Sequence, residues 1–150
     1  MDHVTLAGDL FLEGFNCAQA VAVAFTDLTG MDKKAAAKLA APFGGGMGRM
    51  REVCGAVSGM LMVLGTLYGY DNSDDDSKKK DLYSQVQALA EKFREENGSI
   101  ICRELLKNPP SDPNPSPRTA EYYAKRPCAR MVMTAARLMD EFIAEHPLEG

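Results

Sequence analysis

Apolar residues recur along this chain at intervals of three and four, and no apolar/polar alternation runs between turn residues. The first spacing lines one face of an α-helix, whereas the second would mark a strand. The pattern therefore predicts an all-α fold. Val4, Leu6, Leu10 and Phe11 fit one face of a first helix over residues 3–13, broken at Gly14-Phe15. Asn16 is placed to cap a second helix over 17–28, with Gly30 as its stop. Asp32 caps a third over 33–41, ended by Pro42 and the glycines that follow. A fourth begins near Arg51 or Glu52 and runs to Tyr68, against Gly69. The acidic run Asp74-Asp75-Asp76 suits the positive end of a fifth helix, which reaches Asn97. A short sixth follows Ser99 to Leu106. Residues 108–118 hold five prolines, which dictate a stiff, extended surface segment, placed to run over the cysteines on either side of it. A turn at Tyr122-Tyr123 leads to Pro127, suited to the start of a last helix over 128–145. The expectation is a single-domain bundle of five to seven helices.

The chain has 150 residues, enough for one core and too few for two. Its net charge of −4 speaks against the basic face that nucleic-acid binding needs. Residues 53–70 carry no charge over 18 positions, the length of a membrane-spanning helix. They include four glycines, Ser58 and Thr66, and no second such stretch exists, so a buried central helix is expected and no membrane partner. No basic-then-apolar leader opens the sequence, which begins Met1-Asp2-His3. The expected compartment is the cytoplasm, where thiols stay reduced. Gly55 and Gly59, and again Gly65 and Gly69, lie four apart and would flatten one helix face. They serve core packing or a homodimer contact, the second also open to methionine-rich helices.

Four cysteines carry the candidate chemistry: Cys17, Cys54, Cys102 and Cys128, separated by 37, 48 and 26 residues. No C-x-x-C pair occurs, which excludes the thioredoxin motif, the zinc ribbon and c-type haem attachment. Each cysteine falls in the first turn of an expected helix. There the unpaired N–H groups and the helix dipole favour a thiolate, with Arg49, Arg51, Arg103, Arg126 and Arg130 nearby in sequence. Four thiolates would suit an iron–sulfur cluster or a tetrahedral Zn²⁺. Two or more would suit disulfide exchange. At least three sulfurs are expected in one site with Cys54 at its centre. The plain alternative is that the cysteines are small buried core residues.

The string Val53-Cys54-Gly55-Ala56-Val57-Ser58-Gly59, preceded by Asn16-Cys17-Ala18-Gln19-Ala20 and followed by Cys102 and Cys128, resembles the redox-active family named for its C_GCAxxG_C_C cysteine pattern. The resemblance covers nearly the whole chain. It implies a redox role for Cys17, Cys54, Cys102 and Cys128, with Gly55 and Gly59 completing the central motif, and a redox partner protein. It implies no particular reaction.

Gly44, Gly45, Gly46 and Gly48 could cradle an anion or cofactor with backbone N–H groups, helped by Arg49 and Arg51. They could equally form a tight turn, or let backbone approach a cluster beside Cys54. No strand precedes them and no Gly-Lys-Ser/Thr follows, so this is no nucleotide P-loop. Met60, Met62, Met131 and Met133 fall at core-like positions. His3 and His146 are expected on the surface. Three readings follow: a redox protein using disulfide exchange or a thiolate-ligated metal, a structural zinc module, and a helical accessory subunit of an oxidoreductase or transporter with inert cysteines.

Overall fold

The computed structural model describes residues 2–148. Among them the chain forms nine helices and no strand: α1 His3–Leu12, α2 Cys17–Ala24, α3 Thr26–Thr29, α4 Lys33–Ala40, α5 Gly55–Tyr68, α6 Asp76–Asn97, α7 Cys102–Leu105, α8 Ala120–Lys125 and α9 Cys128–Glu145. The turn Gly44–Met47 repeats helically but with left-handed φ at Gly45 and Gly46, so it is a loop. The all-α class holds. The count exceeds the expected seven because Phe25 divides the expected second helix into α2 and α3, and the turn expected at Tyr122-Tyr123 closes into the short α8.

The helix starts follow from side-chain caps. Asp2, Asn16, Asp32, Asp75 and Thr119 each accept a hydrogen bond from an N–H in the first turn. At α2 the pairing is reciprocal, since the Gln19 side chain accepts from the Asn16 N–H at 3.1 Å, a capping box. α2 ends at Ala24 rather than at residue 28. Phe25 leaves helical geometry as its ring turns into the core and stacks on His3 at 4.2 Å.

α5 is the apolar centre of the molecule and presses on α2. Ala56, Val57, Met60, Val63 and Leu64 bury fully, each large side chain contributing about 1.5–3 kcal/mol. A Cβ on Gly59 would lie 2.7 Å from the Ala18 carbonyl oxygen, so the motif glycine is what lets the two helices touch. α1 and α9 pack together and against α2, and α6 lies on α5 and α9. No helix among the described residues is long and apolar enough to cross a membrane.

Three expectations need correction. α5 begins at Gly55, not at Arg51, because the preceding residues pair with another segment. Val53 faces Ile101 in a single antiparallel bridge. The Cys54 N–H donates to the Ile100 carbonyl at 2.7 Å, and the Cys102 N–H to the Glu52 carbonyl at 2.6 Å. Met60 and Met131 are buried, but Met62 packs at a half-buried edge and Met133 is exposed. His3 is buried, not superficial. Its Nδ1 lies 2.7 Å from Asp140 and its Nε2 2.9 Å from Asp27. The ring thereby ties α1 to α3 and α9.

Candidate functional site

The caps and the bridge bring four helix starts to one end of the bundle. Cys17, Cys102 and Cys128 are the first residues of α2, α7 and α9, and Cys54 immediately precedes α5. All four line one cavity of about 300 Å³. Cys54, Cys102 and Cys128 are buried and Cys17 is partly exposed; all four are free thiols.

One wall is the glycine loop. Gly45, Gly46, Met47, Gly48 and Arg49 run consecutively at φ between 60° and 70°, and Arg51 follows at 63°. A left-handed turn of this kind costs L-residues about 1–2 kcal/mol each. Glycine removes that cost at three positions, while Met47, Arg49 and Arg51 carry it. Space demands glycine as well. A Cβ on Gly46 would lie 2.7 Å from the Cys102 Cβ and from the Glu52 amide nitrogen. A Cβ on Gly44 would overlap the Asn16 side chain, and one on Gly55 would sit 3.2 Å from the Cys17 Cβ. Each glycine brings backbone against a cysteine or the cap that precedes one.

The opposite wall is the proline segment. Residues 108–119 carry no helix, and Pro113, Pro115, Ser116 and Arg118 line the cavity. Arg49 fastens the segment through Nε to the Asp112 carbonyl at 2.8 Å and Nη1 to Ser116 Oγ at 3.1 Å. Arg51 Nε donates to the Pro110 carbonyl at 2.9 Å. Arg118 closes the far end. It donates to the Phe11 and Phe15 carbonyls, with its guanidinium 4.7 Å from the Phe11 ring centre and 5.0 Å from that of Tyr122.

The sulfurs are not equivalent. A hydrogen bond with the Cys128 thiol, and then burial, holds the Cys17 thiol well above the ordinary value. The same bond pulls Cys128 down. Burial opposes this, while Arg126, Arg118 and Arg51 assist. Burial pushes Cys54 up to about 12 against the Ala56 and Val57 amides. It also raises Cys102 against Arg51, whose Nη1 donates to its sulfur at 3.7 Å. The expectation that every helix start favours a thiolate thus holds for Cys128 alone; at the other three, proton retention wins.

Of the residues singled out from the sequence, the cavity wall includes all four cysteines, Gly44, Gly45, Gly46, Gly48, Arg49, Arg51 and Gly55. Gly59 lies against Ala18 and Val21 instead. Phe11, Arg118 and Tyr122 also line the cavity, and none of them stands out in the sequence as a site residue. The five-proline segment was the available signal for Arg118, which ends it. No Asp or Glu lines the cavity. Among the described residues, no three of His, Cys, Asp and Glu are grouped closely enough to hold one metal ion.

No curated protein matches the chain, and no solved structure does. One family model matches residues 15–142, that described as "Putative redox-active protein (C_GCAxxG_C_C)". The matched span holds all four cysteines together with the loop, strap and helix starts that gather them, and the chain belongs to this C_GCAxxG_C_C family.

Proposed function

We propose that the chain is a thiol–disulfide redox protein whose working couple is Cys17 and Cys128. The observation that carries this is that Cys17 and Cys128, the first residues of α2 and α9, line one cavity together with Arg51, Arg118 and Arg126, in a site that lowers the second thiol and raises the first. This asymmetry gives two roles. Cys128 is the thiolate that attacks a disulfide sulfur, and Cys17 keeps its proton until a mixed disulfide forms. Cys17 then loses that proton and attacks the Cys128 sulfur. The couple gives up two electrons and two protons, and the incoming disulfide leaves as two thiols. Arg126, Arg118 and Arg51 hold the negative charge on Cys128 during the first step. Cys54 and Cys102, buried and protonated, form the floor of the site.

The test is oxidation of the reduced protein with a disulfide, followed by peptide mapping under non-reducing conditions. A Cys17–Cys128 link is expected, with Cys54 and Cys102 still alkylatable after unfolding. Loss of the link in Cys128→Ser and a trapped mixed disulfide on Cys128 in Cys17→Ser would complete the assignment. Recovery of four free thiols from every oxidation would contradict it.

A second reading has its own support, the four sulfurs around one cavity rich in arginine. A lone Zn²⁺ needs four ligands on one ion, which the grouping of these residues does not suit. A two-iron cluster divides its four cysteines between two irons. Its donors would be Cys17, Cys54, Cys102 and Cys128, and it would supply one-electron transfer. Iron and acid-labile sulfide in anaerobically purified protein, with visible absorption, would favour this reading over the first.

A further inference from the structure

We propose that the cavity over Cys128 is an anion site and that its substrate is a small, carboxylate-bearing disulfide. The substrate assignment rests on the dithiol reading above; the anion site does not. Four arginines, Arg49, Arg51, Arg118 and Arg126, line the cavity without an Asp or Glu among them. None of the four takes part in a described ion pair; those pairs belong to Arg94, Arg103, Arg137, His3 and two lysines. In a chain of net charge −4, this is a local concentration of positive charge that the overall composition hides.

Arg51 gives the strongest sign. Its side chain is 3% exposed, and its Nη2 has no hydrogen-bond partner. A buried guanidinium with an unmet donor carries a desolvation penalty that an oxyanion removes. The guanidinium fork suits a planar carboxylate in particular, through two parallel hydrogen bonds. The Arg126 guanidinium lies 4.8 Å from the Tyr122 ring centre, on the cavity wall where its N–H groups can turn toward an anion. Arg49 and Arg118 are held by the strap and by backbone carbonyls, so they supply field more than direct contact. The cavity volume of about 300 Å³ is at the small end for organic ligands, which sets the size of the molecule. Phe11, Tyr122 and Met131 complete the wall and give an apolar surface for its carbon chain. Such a ligand lies with its disulfide beside Cys128 and its carboxylate toward Arg51. The bond that breaks is its S–S bond, and the two sulfurs leave as thiols while Cys17 and Cys128 join.

Three probes separate the claims. 3,3′-Dithiodipropionate carries two carboxylates on a disulfide, 2-hydroxyethyl disulfide is its neutral counterpart, and suberate replaces the two sulfurs by methylenes. The reduced protein should be oxidised by dithiodipropionate at least tenfold faster than by hydroxyethyl disulfide, against the repulsion expected from its net charge. Suberate should slow the first reaction competitively and raise Tm. Arg51→Gln and Arg126→Gln should each remove most of the tenfold preference, and the half-buried Arg126 gives a reading even where Arg51→Gln fails to fold. Equal rates for the two disulfides, with no effect of suberate, would overturn the anion site and leave the dithiol reading standing. Binding of suberate with no oxidation by either disulfide would overturn the substrate assignment and the dithiol reading together.

Discussion

At the scale of single residues, the chemistry turns on which sulfur keeps its proton. Cys128 is lowered from the ordinary thiol value, first by its hydrogen bond with Cys17 and then by three arginines. Iodoacetamide at pH 7 should therefore alkylate Cys128 first, with a midpoint below the ordinary one. Cys17→Ala should move that midpoint upward, and an unmoved midpoint would show that the Cys17 hydrogen bond is not its cause. The other three sulfurs make an opposite prediction for stability. Cys17, Cys54 and Cys102 have raised values in the fold, so above the unfolded value the native chain binds more protons than the unfolded one. Stability must then fall as pH rises above about 8.5, by up to about 1.4 kcal/mol per pH unit for each such thiol until its own raised value is passed. Cys128 works the other way, adding stability that fades as pH falls through its lowered value. Urea unfolding of the reduced protein at pH 8 and pH 10 measures the sum, and a larger midpoint at pH 10 would contradict it. His3 is the residue whose place the sequence hid most completely. Its carboxylate partners are 24 and 137 residues away, and a histidine third from the start carries no sign of burial. His3→Ala should cost about 1–3 kcal/mol through Asp27 and Asp140 left unpaired, read by chemical denaturation.

At the scale of elements, the sequence revealed most where a boundary is local. Gly30 and Gly98 stop their helices with left-handed φ of 73° and 94°, and Asn16 and Asp32 cap theirs. It revealed least where a long-range partner decides. The start of α5 moves from Arg51 to Gly55 because Val53 meets Ile101, a partner 48 positions on that no period could indicate. The glycine loop was legible as a loop, and its left-handed path was not, since only the close approach of Cys102 and Asn16 demands it. Three glycine replacements test this account. Gly46→Ala adds a left-handed penalty to a clash with backbone and Cys102, and should cost well over 2 kcal/mol. Gly30→Ala shares the positive φ but meets nothing within 4 Å, so about 1–2 kcal/mol is expected. Gly65→Ala, in open space within α5, should stabilise by about 0.5–1 kcal/mol. A cost at Gly46 no greater than at Gly30 would remove the claim that packing fixes the loop.

At the scale of the whole molecule, an acidic helical bundle gathers four helix starts and four arginines around one cavity. The all-α class and the meeting of the cysteines follow from the periodicity and the caps. The lowering of Cys128 follows from Cys17 and from Arg126, Arg118 and Arg51, which reach it only through the fold. The proposed couple of Cys17 and Cys128 is what everything else in the site serves. The most direct measurement is a thiol count with disulfide mapping and a visible spectrum on protein purified without oxygen, before and after one equivalent of disulfide oxidant. A colourless protein is expected, with four free thiols that become two, the lost pair being Cys17 and Cys128. Stoichiometric iron with visible absorption, or a count that stays at four, would contradict it.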